Sequence, residues 1–270
     1  MGVVCRFACR EVEGLRTGRF DLELNTSAVL YRLGATLIDT GPPNRWPQVR
    51  SFLQEQPPER VLLTHHHEDH SGNAARIQAA FGAQILAHPA ALPELAAGWR
   101  LRPYQHLFWG RPLPLIAQTV PEINEMDGGL RLQTLRTPGH ADDLVCYLEP
   151  ERGWLFTGDL YIGSRSRYLR RDENLPLQIE SLRAILQHNF KIVFCGHRGV
   201  VTEGYRAIEE KLDYLVTFTQ QVKDLHSKGL SVREITRQLL GREDFTSMAT
   251  LGHFTKGNLV RGCLVGEGRE

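Results

Sequence analysis

The chain has 270 residues, 41% of them hydrophobic and 23% charged, enough to bury one large core or two unequal ones. Its 32 basic and 31 acidic side chains leave a formal net charge of +1. No overall field therefore recruits nucleic acid or an anionic membrane surface. No apolar run approaches the roughly 20 residues of a membrane span, and residues 1–10 are interrupted by Arg6 before they reach the length of a secretory signal core. Five scattered cysteines (Cys5, Cys9, Cys146, Cys195, Cys263) without a CxxC pair read as reduced thiols, so the expectation is a cytoplasmic protein.

Short β-rich runs then alternate with longer amphipathic segments. Residues 27–33 and 35–38 read as paired strands with Gly34 at the turn, running into Asp39-Thr40-Gly41-Pro42-Pro43. A helix is expected over 46–56, stopped by Pro57-Pro58, and a buried strand over 60–63 leads into Thr64. Helical apolar spacing over 73–81 ends at Gly82, and 84–87 is another strand. Residues 98–121 read as an irregular aromatic loop, with Trp99, Tyr104, His106, Phe108 and Trp109 among several prolines; it either covers a substrate or packs on the surface.

In the second half, strands are expected at 130–135, 144–148, 154–157 and 192–195, with a helix over 177–188. From residue 203 the character is helical: 203–227, then 231–240 opened by the Ser231/Glu234 capping box, then 250–264. The fold class is α/β. The expected organisation is a catalytic domain over 1–202 and a small C-terminal helical appendage over 203–270.

The strongest chemical signal is Thr64-His65-His66-His67-Glu68-Asp69-His70, in which His65, His67, Asp69 and His70 fit H-x-H-x-D-H. Alternating His65 and His67 leave a strand end on one side and can reach one ion, while Asp69 and His70 in the following turn can face a second. Position 71 is Ser, so the H-E-x-x-H zinc helix is absent. Three later turns each end in a ligand-type residue: Thr137-Pro138-Gly139-His140, Thr157-Gly158-Asp159 and Cys195-Gly196-His197. In each, glycine permits a tight turn that aims the next side chain from a strand end into a common cleft.

Together these motifs resemble the metallo-β-lactamase superfamily over residues 27–197, and within it the glyoxalase II-like, hydroxyacylglutathione hydrolase-like branch. The resemblance implies an αββα sandwich with metals at one edge. It implies His65, His67 and His140 on one ion, Asp69, His70 and His197 on the other, Asp159 bridging them, and Asp39 supporting a ligand from behind. Two divalent transition-metal ions are the expected cofactor, zinc first, with iron or manganese suited to the same donors. A hydroxide shared by two ions about 3.5–4 Å apart would attack the substrate, with Asp69 orienting it and handling its proton.

The expected activity is hydrolysis of a small thioester or ester. The alternatives are a lactonase or phosphodiesterase of the same fold, a mononuclear iron persulfide dioxygenase, and a catalytically silent binding protein. A nuclease of the superfamily would carry a further domain. The partner is a small molecule, with neither nucleic acid nor membrane. Trp109, Tyr161, Arg165 and Arg167 are candidate substrate contacts, the arginines belonging to a run that includes Arg170 and Arg171 just beyond Asp159. A charge run is ordinarily a solvated face, and His66, Glu68, His88, His106, His188, His226 and His253 carry no assigned role.

Overall fold

The computed structural model describes residues 2–20, 26–98 and 100–265. Two sheets lie face to face. The first runs, in spatial order, through β1 (Val3–Cys9), β2 (Val12–Gly18), β3 (Ala28–Leu33), β4 (Thr36–Ile38), β5 (Arg60–Leu62), β6 (Gln84–Ala87) and β7 (Gln118–Thr119). The second runs through β8 (Ile123–Glu125), β9 (Arg131–Arg136), β10 (Val145–Glu149), β11 (Trp154–Gly158), β13 (Ile192–Cys195) and β14 (Gly199–Val201). A small ribbon pairs β12 (Leu169–Arg170) with β15 (Phe254–Thr255).

Strand alternation sorts apolar side chains into three seams. On β5, Val61 faces α1 (Trp46–Glu55), α2 (Ala74–Phe81) and α3 (Leu92–Ala97), while Leu62 faces the other sheet. On β13, Phe194 faces inward between the sheets, and Val193 and Cys195 face α5 (Leu175–Ile185) and α6 (Gly204–Ser227). Strands covered on both faces show little polar alternation, which is why these segments read as short continuous apolar runs. The inter-sheet seam is aromatic: Tyr31 meets Phe156 and Phe194 edge-on at 5.7 and 5.4 Å, and Phe156 stacks on Phe194 at 4.7 Å. Helix, sheet, sheet and helix thus form the αββα sandwich.

The C-terminal helical part is α6, α7 (Val232–Leu240), α8 (Phe245–Ala249) and α9 (Lys256–Cys263). Ile208, Leu215, Ile235 and Leu259 from these helices share one apolar cluster with Leu155 and Val193 of the second sheet. The single helix expected over 250–264 is instead divided. Leu251 and Gly252 both adopt left-handed φ angles (52° and 74°), which ends α8, and the Thr255 hydroxyl restarts the chain by accepting from Asn258 N at 2.8 Å.

Two other expectations change. Residues 98–121 are not wholly irregular, because α4 (Pro103–Phe108) forms with Pro103 in its first turn. The N-terminal hairpin β1–β2 was not expected. Trp99 lies outside the described residues.

Candidate metal centre

The carboxyl ends of β4, β5, β9, β11 and β13 converge on one edge of the sandwich. Each delivers a residue of the sequence motifs: Asp39, the 64–70 run, His140, Asp159 and His197. Two phenols pin this edge across the sheets, Tyr31 donating to Cys195 O and Tyr147 to Leu63 O, both at 2.6 Å. The turn glycines are sterically required. A Cβ on Gly196 would lie 2.5 Å from His70 Cε1, and one on Gly139 (φ 131°) would lie 2.4 Å from Gln178 N.

Three donor groups overlap: His65, His67 and His140; His65, His70 and Asp159; and Asp69, His70 and His197. Within each group the ligand atoms lie within 4.8 Å of one another. The outward-facing nitrogens are already engaged. His70 Nδ1 donates to Asp39 Oδ2 at 2.7 Å, His197 Nδ1 to Ser27 O at 2.7 Å, and His140 Nδ1 pairs with Glu173 Oε1 at 3.0 Å. Thr64 Oγ1 donates to Asp39 Oδ2 at 2.8 Å and so accepts from His65 Nδ1 at 3.1 Å. These contacts fix the rings and turn Nε2 toward the centre, as outer partners of metal-binding histidines do. Asp39 holds this position at φ 60°, a left-handed conformation that Asp tolerates better than most residues.

The centre itself is left short of hydrogen-bond partners. His65 Nε2, His70 Nε2 and Asp159 Oδ1 are buried without a hydrogen-bond partner; His70 Nε2 and Asp159 Oδ1 are 3.2 Å apart but not aligned for a bond. Buried orphans of this kind are rare in folded proteins. Nitrogen and carboxylate donors in this arrangement fit divalent transition-metal ions.

The electrostatics agree. Burial, and then the neighbouring His70, push His65 well below the ordinary imidazole value; burial and Arg170 do the same to His67, so both sites favour the neutral ring. For His70 burial acts downward, but Asp159, Asp69 and Asp39 outweigh it and raise the pKa. For Asp159 burial acts upward, yet His197 and His70 hold it well below the carboxylate range. The carboxylates at this end of the centre attract positive charge.

Of the other sequence-predicted contacts, Trp109 is the one beside the centre, its ring 6.4 Å from that of His197. Tyr161 is packed in the core between the second sheet and its helices, its carbonyl accepting the Cys195 thiol. Arg165 and Arg167 are exposed: Arg165 lines a groove of about 630 Å³ with Tyr214 and Phe218 of α6, and Arg167 lies over Tyr168. The member of that run that reaches the centre is Arg170, whose Nη1 is 3.2 and 3.1 Å from the two ring nitrogens of His67.

Two residues without an assigned role also matter here. Glu68 is buried and accepts from Gln105 Nε2 of α4 at 2.7 Å; burial and the adjacent Asp69 charge push its carboxyl up to about 7. His253 bonds Tyr104 and Asp172. Neither could be found from local spacing, because their partners come from distant segments.

Residues 22–197 match the metallo-beta-lactamase superfamily, and the chain belongs to it. It is 28% identical over 208 residues to an atrochrysone carboxyl ACP thioesterase of Aspergillus fumigatus, covering 75% of this chain and 59% of that one. It is 30% identical over 139 residues to a hydroxyacylglutathione hydrolase of Hydrogenovibrio crunogenus, covering 51% of this chain and 44% of that one. The chain therefore spans less than two thirds of the length of either relative. Among solved structures, it superposes on a metallo-beta-lactamase family protein of Thermus thermophilus with a TM-score of 0.69, at 22% identity over 96% of this chain and 95% of that one. No helix among the described residues is long and apolar enough to cross a membrane.

Proposed function

We propose that this chain is a metal-dependent hydrolase that cleaves a small thioester or ester. The carrying observation is the set of overlapping three-donor groups whose inward atoms, His65 Nε2, His70 Nε2 and Asp159 Oδ1, have no hydrogen-bond partner among the described residues. In this reading His65, His67 and His140 would hold one ion and Asp69, His70 and His197 the other, and Asp159 would serve both. Zinc is the first choice, iron or manganese the next. Such ions, when bound, acidify water and polarise a carbonyl oxygen.

The chain's own residues do the remaining work. Asp69 stands on the accessible side, orients the attacking water and takes up its proton at a carboxylate oxygen. Asp39 and Glu173 lock the His70 and His140 rings, so that no reorientation accompanies the reaction. Trp109 and α4 wall the cleft and limit the entry of bulk water. The thioester preference rests on the two relatives whose names carry that chemistry. The free state of Cys5, Cys9, Cys146, Cys195 and Cys263 supports a cytoplasmic setting.

The test is to strip the full chain with a chelator, reload it with zinc, manganese or iron, and assay thioesters, lactones, phosphodiesters and β-lactams. Hydrolysis that is lost and regained with metal, with the highest kcat/KM on a thioester, is the expected result. Metal-independent turnover would refute the reading. Oxygen consumption on a persulfide without any hydrolysis would assign the chain to dioxygenase chemistry instead.

A further inference from the structure

Arg170 brings a guanidinium to the rim of the centre and is held there by Asp172, itself braced by a chain of two further side chains. Its Nε and Nη2 form a fork onto Asp172, at 3.1 and 2.7 Å. Asp172 also accepts from His253 Nε2 at 3.2 Å, and His253 Nδ1 then accepts the Tyr104 hydroxyl at 2.6 Å. The β12–β15 ribbon, the segment before β15 and α4 thus fix one head group.

Nη1 is the amino group left over, and its hydrogen-bond partner among the described residues is the His67 ring. A neutral imidazole has a single lone pair. If His67 gives that pair to a metal, Nη1 is left without a hydrogen-bond acceptor among the described residues. Of the nearby carboxylates, Glu68 accepts from Gln105 and Glu173 pairs with His140 and accepts from Gln178, and neither is hydrogen-bonded to Arg170. His67, Asp69, Asp159 and Arg170 keep 6–9% of their surface exposed, whereas His65 and His70 keep 1% or less. Arg170 therefore stands on the side from which a substrate enters.

We propose that Arg170 Nη1 binds a carboxylate on the acyl group of the substrate, making the site selective for acidic acyl groups. The proposal rests on the hydrolase reading and adds the substrate's charge to it. Arg165, exposed at the α6 groove, and Arg167, exposed over Tyr168, take no part.

The test uses the metal-loaded full chain and two thioesters of one thiol, glutaryl and its neutral carboxamide counterpart. Wild type should favour the carboxylate by roughly tenfold or more in kcat/KM, as a charge-assisted contact implies. Arg170→Gln should bring the ratio close to one, and Arg170→Lys should retain part of it, keeping the charge without the fork. Calorimetry with the uncleavable thioether analogues reads the same preference without turnover, so it still decides the proposal if neither thioester is cleaved; that result would count against the thioester preference, while the substrate panel decides the hydrolase reading. Equal binding of both analogues by wild type overturns the proposal. So does an equal loss on both thioesters in Arg170→Gln accompanied by loss of metal, which would make Arg170 a support of His67.

Discussion

A histidine that gives one ring nitrogen to a metal needs the other held, and for His70 that holder is Asp39. Asp39→Ala removes the acceptor of His70 Nδ1 and of Thr64 N and Oγ1. It should weaken metal binding by about 10–100-fold in a chelator competition; unaltered affinity would mean that the ring is held by packing alone. Asp69→Ala should lower kcat by about 100-fold or more, with a smaller change in KM, if Asp69 handles the proton. Turnover within a few-fold of wild type would contradict that role. At this scale the sequence was informative where the candidate ligands are neighbours in the chain. His65, His67, Asp69 and His70 follow one strand, and His140, Asp159 and His197 each follow a glycine turn. It was silent where selection depends on the fold. Arg165, Arg167 and Arg170 are alike in the chain, and only the β12–β15 ribbon decides which of them meets His67.

The turns and short elements carry the site as much as its ligands do. Gly196→Ala would place a methyl 2.5 Å from His70 Cε1 and 3.2 Å from Asp159 Oδ1. It should cost metal occupancy at a modest loss of thermal stability, because the clash falls on the centre rather than on the core. Retention of full metal content by elemental analysis would show that the turn can shift. The ribbon and the segment before β15 meet at Asp172, with α4 joined to them through His253, and for Asp172 burial acts upward but bonds from His253 and Arg170 win and hold the carboxyl below its usual range. A depressed folded pKa stabilises above the unfolded value near 4 and loses that contribution as the pH falls through and below it. Asp172→Asn should therefore lower Tm at neutral pH, and the gap from wild type should close below about pH 4. A gap that is constant with pH would show that the carboxylate's charge is not what matters. Elements with a strong period were legible, such as α2 with Gly82 as its left-handed cap. The β1–β2 hairpin was not: β1 is mostly solvent-facing, and Gly14, which weakens β2 as a strand, is there to make room for the Phe7 ring.

Over the whole molecule, two rigid sheets hold five strand ends in register, so the site's geometry depends on the seam between them. Phe194→Ala empties the centre of that seam and should cost about 3–5 kcal/mol in denaturant unfolding. Because Ile208, Leu215 and Leu259 share a cluster with Leu155 and Val193, the helices after residue 203 should unfold with the sheets in one transition. Two separate transitions would mean that this cluster does not couple them. If the convergent strand ends form a centre for two metal ions, elemental analysis of the purified chain, saturated with zinc and freed of excess, reads that number outright. Two ions per chain are expected. One ion or none at saturation would rule out the dinuclear centre.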